Sequence, residues 1–193
     1  MKHQNREAWC RRHLADQELS QLLEKVDADL AERARLQGCR HCGGKVHRAD
    51  YERKPRGGAR WDERFSFCCA VAGCRRRLTP ASVRFLGRRV YAGLVVVLLA
   101  AMTHGLSAER VGRLRESLGI DRRTLARWRQ WWLETFVRSP FWKALRARLL
   151  PAVCQRTLPW SLCLRFQVTR RDRLLDLLRF LAPVSGPVGG QVR

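Results

Sequence analysis

Cys39-Arg-His-Cys42-Gly43-Gly44 and, further along, Phe65-Ser-Phe67-Cys68-Cys69-Ala-Val-Ala-Gly73-Cys74 are the stretches from which the chain is best read. Two cysteines with two residues between them can grip one ion, and the glycines behind them let backbone N–H groups turn toward the sulfurs. A second cysteine pair completes four thiolates, a set that favours tetrahedral Zn²⁺ at ~2.3 Å per sulfur. The expected ligands are Cys39, Cys42, Cys69 and Cys74. Phe65, Phe67 and Cys69 are spaced by two, so on a strand they share a face. If the phenylalanines face a small core beside the metal, Cys69 goes with them and Cys68 points away; Cys68 stays the alternative ligand. His41 and His47 read as surface or phosphate-facing residues. Four protein ligands leave no open position for water or substrate, so the expected zinc is structural. It would organise a segment too small and too polar to fold unaided. A catalytic site would need an open position and a general base, for which Glu63 is the obvious acid, and a thioredoxin-like dithiol would need a βαβ context.

The surroundings of this cluster are basic. Arg75-Arg76-Arg77 follows the last ligand directly, and Lys54, Arg56 and Arg60 sit at a glycine-rich hairpin tip beside Tyr51 and Trp61. Net charge is zero over residues 1–38, +10 over 39–89, +7 over 90–150 and +5 over 151–193. The positive field therefore begins where the cysteines begin, whereas codon bias alone would have spread it evenly. Of the 39 cationic side chains only 5 are lysines, and arginine's planar fork suits phosphates and guanine edges. A net charge of +22 in 193 residues points to a polyanionic partner, nucleic acid first. The length excludes a large multidomain enzyme, and 46% apolar residues exclude wholesale disorder. The longest uncharged apolar run, 90–103, is too short for a membrane span. The first residues hold no secretory apolar stretch, so the expected location is the cytoplasm, associated with the nucleoid. There thiols stay reduced, and the 8 cysteines point to metal before disulfides.

Helical periodicity flanks the cysteine segment. Leu19, Leu22, Leu23, Val26 and Leu30 make one stripe of an amphipathic helix over about 15–36, stopped by Gly38, whose apolar face packs on the rest of the protein or on a second copy. Short β-like pieces at 45–51 and 61–69 read as hairpins. Residues 90–104 form a nearly all-apolar helix, the first of a three-helix unit. Ser107 caps a second over 108–118, Gly119-Ile120 makes a tight turn, and Asp121 caps a third over 122 to about 137. The last two have the shape of a helix-turn-helix. Leu125, Trp128 and Trp132 face inward, which turns Arg123, Arg127 and Gln130 outward. Arg122, Arg123, Thr124, Ala126 and Arg127 are the residues expected near bases, with Arg129 at phosphate. Arg75, Arg76 and Arg77 are further expected phosphate contacts. Pro140 opens a helix over 141–150. A last amphipathic helix over 170–181 carries Leu174, Leu177, Leu178 and Leu181, and the tail from Pro183 has no pattern.

Taken together, Cys39-x-x-Cys42-Gly-Gly, the Phe-x-Cys strand, the second knuckle, Arg75-Arg76-Arg77-Leu78-Thr79 and the trihelical unit resemble the DNA-binding front end of bacterial insertion-sequence transposases over residues 36–138. The resemblance implies a zinc ribbon and a homeodomain-like helix-turn-helix that locate an element's terminal repeats. It also has departures. The second knuckle spans four intervening residues where two are usual. After Asp121 the acids are Glu134, Asp172 and Asp176, with Asp172 and Asp176 one turn apart, which cannot supply the three-carboxylate, two-Mg²⁺ centre of a full transposase.

The expected fold is therefore α+β: an N-terminal amphipathic helix (1–37), a small β zinc ribbon (38–89), a mainly α trihelical helix-turn-helix domain (90–150) and a C-terminal helical extension with a disordered tail (151–193). The expected function is non-catalytic, sequence-specific binding of double-stranded DNA associated with transposition, with a structural Zn²⁺ and no membrane. It admits a separate catalytic transposase protein and a second copy of the chain as further partners. A transcription regulator and an RNA-binding zinc-ribbon module are the alternatives.

Overall fold

The computed structural model describes residues 12–13, 16–53, 62–85, 108, 112, 115–116, 120–168 and 170–186. Helix α1 spans Gln17–Gln37, where the leucine stripe predicts it. The Asp16 carboxylate accepts from the Leu19 amide at 3.0 Å and so satisfies one of the donors that a helix start leaves orphaned. Gly38 ends the helix at φ 71°, a conformation that costs a glycine little, and the next residue is Cys39.

The buried residues of α1 enter two different cores. Leu19, Leu23 and Val26 join the larger one, with Ile120, Leu125, Trp128 and Trp132 among their neighbours. Ala31 and Ala34 join a smaller one with Phe65, Phe67 and Leu78, against which Val46 packs. The stripe thus packs within the chain and carries it from one core to the other.

Among the described residues five short strands follow: β1 Val46–Arg48, β2 Tyr51–Arg53, β3 Asp62–Arg64, β4 Phe67–Cys69 and β5 Arg77–Leu78. They form an antiparallel sheet in the order β1-β4-β5 and a separate β2-β3 pair. The two expected β pieces are each broken, the first at Ala49-Asp50 and the second at Phe65-Ser66, and Asp50 ties the two breaks together. Its carboxylate accepts the Ser66 amide at 2.7 Å and the Arg48 Nε at 2.7 Å, taking a donor that a continuous ladder would use. In β4 the two-residue period holds: Phe67 and Cys69 are buried and Cys68 is half-buried.

Asp121 caps α2, Arg122–Gln130, which runs on through π-helical turns at Trp131–Phe136. Leu125, Trp128, Trp132 and Phe136 are all buried. The wider turn, near 4.4 residues, keeps side chains four apart in line, so Trp128, Trp132 and Phe136 stay on one face despite their bulk. Ser139 caps α3, Pro140–Leu145, with Trp142 wholly buried and Trp131 packed at the edge of the same core. The helix expected over 141–150 stops earlier and leaves through a single 3₁₀ turn at Arg146–Arg148, as Pro151 requires extended backbone before it. Helix α4 spans Trp160–Arg165.

Helix α5 runs Arg171–Ser185 and buries Leu174, Leu177, Leu178 and Leu181 at the centre of the larger core. It extends past the expected end into Pro183–Ser185, which the patternless reading of the tail did not anticipate. Ser185 explains the extension: its hydroxyl accepts the Ser82 amide at 2.7 Å and lies 2.6 Å from the Ala182 carbonyl. Arg171 at the other end reaches Asp16 at 2.9 Å and Glu18, joining the starts of α1 and α5.

The expected helix over 90–104 lies outside the described residues. So does most of that over 108–118, of which 108, 112, 115 and 116 are described and helical. The basic hairpin tip with Lys54, Arg56, Arg60 and Trp61 and the tail from 187 also lie outside them. No helix among the described residues is long and apolar enough to cross a membrane.

Candidate metal centre and basic face

Two tight turns bring the cysteines together. In the first, the Cys39 amide donates to the Gly44 carbonyl at 2.9 Å and the Gly43 amide donates back to the Cys39 carbonyl at 2.8 Å. A Cβ at Gly44 would lie 2.5 Å from Val71 Cγ2, so a side chain there would have to displace that of Val71. Val71 belongs to the second turn, in which the Cys74 and Arg75 amides both donate to the Val71 carbonyl. The sulfurs of Cys39, Cys42, Cys69 and Cys74 all lie within 4.8 Å of one another. Cys39 Sγ is 3.7 Å from Cys74 Sγ, and Cys42 Sγ is 3.5 Å from Cys69 Sγ. A tetrahedral ion with arms of ~2.3 Å sets its sulfurs ~3.8 Å apart, so the four residues could hold a metal ion with little adjustment.

Cys68 is not part of this group. Its sulfur turns to the far side of β4 and sits 3.4 Å from the Arg75 carbonyl. The phenylalanine period decides this: Phe67 goes into the small core, Cys69 lies on the same face, and Cys68 is left on the other.

The four thiols do not share one acidity. The backbone amides of His41 and Cys42 donate to the Cys39 sulfur and hold its thiol down at about 6. The Val71 amide pulls Cys69 the same way, but burial and the neighbouring sulfurs outweigh it and push that thiol up to about 12. At Cys74 the Arg76 amide is likewise outweighed by burial and by Cys39 and Cys42, so its thiol rises. The metal-free cluster therefore holds protons at neutral pH, and an incoming cation must displace them.

Arg75, Arg76 and Arg77 are all exposed beside this centre, as are Arg40 and Lys45. Arg76 Nη1 lies 3.4 Å from His41 Nδ1, which places side chains of the two turns next to each other. The Arg77 guanidinium lies over the Tyr51 ring at 5.5 Å, a contact from β5 of the three-stranded sheet to β2 of the separate pair.

A second basic face lies on α2. Arg122, Arg123, Ala126, Arg127, Arg129 and Gln130 are exposed, while Leu125 and Trp128 face the core. Thr124 departs from the expected exposed set. It is 1% exposed, because it falls on the buried side next to Leu125, and its hydroxyl accepts from Arg127 Nη2 at 3.0 Å. Thr124 therefore steadies an arginine of the exposed face rather than standing on it. The Asp121 carboxylate accepts the Thr124 amide at 2.6 Å, and that bond holds its pKa below the ordinary aspartate range. Beyond this cap the first turn of α2 holds no acid; it holds Arg122 and Arg123, against the positive end of the helix dipole.

The acids that follow α2 have partners. Glu134 accepts from Gln130 at 3.1 Å, Asp172 from Arg170 at 3.2 Å, and Asp176 lies 3.7 Å from Arg173. Residues that the sequence alone did not bring to notice are Arg40 and Lys45; their one available signal was position, each within three residues of a ligand turn. No protein-family model matches the chain, and no curated protein and no solved structure matches it.

Proposed function

We propose that this chain is a non-catalytic, sequence-reading DNA-binding protein associated with transposition. In this reading Cys39, Cys42, Cys69 and Cys74 hold a structural Zn²⁺ in a ribbon, and α2 is the recognition helix of a helix-turn-helix. An all-sulfur set with near-tetrahedral edges supports zinc over the oxygen-preferring cations. With four thiolates and Zn²⁺ contributing about −2, the surrounding segment stays strongly basic.

The observation that carries the reading is the start of α2. Folding favours acids in a first turn, and each misplaced cation costs a few tenths of a kcal/mol or more, in the range of about 0.3–1 kcal/mol. Arg122 and Arg123 occupy that turn exposed. An anion that covers them turns the penalty into binding energy, and the duplex backbone is such an anion. Arg122, Arg123, Arg127 and Gln130 would then lie in the groove near bases, with Arg129, Arg75, Arg76 and Arg77 on phosphates and Thr124 holding Arg127. The link to transposition rests on the resemblance of the motif series.

Selection of bound sequences from a random duplex pool, with and without a zinc chelator, tests this. The expected result is an enriched motif that disappears on chelation. Arg123→Ala and Arg127→Ala should flatten the preference among sequences, whereas Arg76→Ala should weaken all sequences alike and lower the salt slope by about 1. No enrichment at modest ionic strength would overturn the proposal, and equal losses on every sequence for all three variants would remove α2 as the reading element.

A further inference from the structure

The buried face of α1 carries one acid. Asp27 is 1% exposed and follows Val26, at the point where α1 passes from the larger core to the smaller. Its Oδ1 accepts the Val83 amide at 2.6 Å, and its Oδ2 accepts the Ser82 hydroxyl at 2.5 Å and Arg84 Nε at 3.0 Å. The strap around Ser82 is tied in two more directions. Arg84 Nη2 donates to the Glu63 carbonyl of β3 at 2.9 Å, and the Ser82 amide donates to the Ser185 hydroxyl at the end of α5. The strap also abuts Gly186, where a Cβ would meet the Ala81 amide nitrogen at 3.3 Å.

We infer that Asp27 is a positioning residue: it locks the cysteine module to the tryptophan-rich core, so that the metal centre and the arginine face of α2 move as one body. Burying an ion pair is a poor way to gain stability, because desolvation offsets most of the attraction and apolar residues of the same volume do as well. Its directional bonds supply something apolar contact does not, a single relative orientation. Here the carboxylate is bonded to a strap that itself grips β3 on one side and α5 on the other. Between Asp27 and the first ligand, Cys39, lie only the C-terminal turns of α1 and its cap. Ala31 and Ala34 of those turns pack on the sheet that carries Cys69. Order at the metal centre therefore reaches Asp27 through α1, and passes from Asp27 to α5 through Ser82 and Ser185. The duplex consequence rests on the DNA-binding reading; the lock itself does not.

The test follows two signals during thermal unfolding of full-length protein loaded with Co²⁺ as a visible stand-in for zinc. Cobalt–thiolate absorbance reports the cysteine module. Tryptophan fluorescence reports the larger core, which holds Trp128, Trp131, Trp132, Trp142 and Trp160 of the chain's 7 tryptophans. In wild type the two signals should fall together, and a chelator should lower the fluorescence midpoint. In Asp27→Asn they should separate, with cobalt released first and the chelator's effect on the fluorescence midpoint lost. If that variant does not fold, Ser185→Ala, which cuts only the α5 end of the lock, should separate them more weakly. Two separate transitions in wild type would overturn the inference, as would coincident transitions in the folded variants. On selected duplexes the wild type should reject base pairs inserted between the segments protected by the module and by α2, and Asp27→Asn should tolerate them. Failure of wild type to bind any duplex would defeat the DNA reading while coincident melting still upheld the lock.

Discussion

The two cores among the described residues are held by different physics. The larger one gathers Trp128, Trp132, Phe136, Trp142 and the leucines of α5, nearly all of them wholly buried. Burying one such side chain contributes about 1.5–3 kcal/mol, so this core can stand on apolar burial. The smaller one gathers Ala31, Ala34, Phe65, Phe67 and Leu78 under strands of two or three residues. That is too little apolar surface to order two polar turns and five short strands. Among the described residues it also has the four-sulfur cluster, which could hold a metal ion; an ion bound there would cross-link the two turns where apolar burial is scarce. The contrast shows why α1 matters: as a member of both cores, it gives the weak region a rigid wall that the strong region has already stabilised.

The comparison breaks most visibly at the cysteines. Cys69→Ser should lower metal affinity roughly 100-fold or more, beyond the effect of any outer-shell change, and should free the amides of β1, β4 and β5 to exchange. Cys68→Ser should leave both metal content and exchange near wild type, because its sulfur faces the Arg75 carbonyl instead of the cluster. Metal content by elemental analysis with hydrogen exchange by mass spectrometry checks the pair, and matched losses in the two variants would erase the distinction between them. Next in size is the apolar side of the comparison. Trp132→Ala, at a site with no exposure, should cost about 3–5 kcal/mol of stability in chemical denaturation, by the same amount with metal bound as after chelation. A cost that differs between the two conditions would mean that the packing around Trp132 itself depends on the ion, beyond the coupling of the two cores.

The smallest effect is at the cap of α2. Asp121 is held below the ordinary aspartate pKa by its bond to the Thr124 amide, so its charged form stabilises the folded helix. Its contribution is fully present above the unfolded aspartate pKa and is lost as pH falls through the lower folded value. Asp121→Ala should therefore weaken α2 at neutral pH and make little difference in strong acid. Circular dichroism melts at two pH values measure this, and an equal loss at both would show that the cap acts without its charge.

Much of the architecture was legible from short-range pattern. The leucine stripe marked α1, the Asp121 cap marked the start of α2, and the alternation Phe65, Phe67, Cys69 separated Cys69 of the sulfur cluster from Cys68 outside it. Period two and period 3.6 are local, so a single chain displays them. Thr124 differs from the expected exposed set because, although two exposed arginines precede it, its angle around the helix beside Leu125 and one turn before Trp128 buries it. The break at Asp50 and the reach of α5 to Ser185 depend on partners far along the chain, Ser66 and Ser82, which no local period announces.

Residue type and spacing thus sufficed for the four-cysteine cluster, the inward tryptophans and the exposed arginines of α2, because each is a property of one turn, one strand or one helix. That α1 belongs to two cores, and that Asp27 binds a strap from beyond the sheet, emerged only on folding. Both depend on which surfaces meet across long separations, and a carboxylate is admitted to an apolar interface only when the folded chain delivers donors to every side of it.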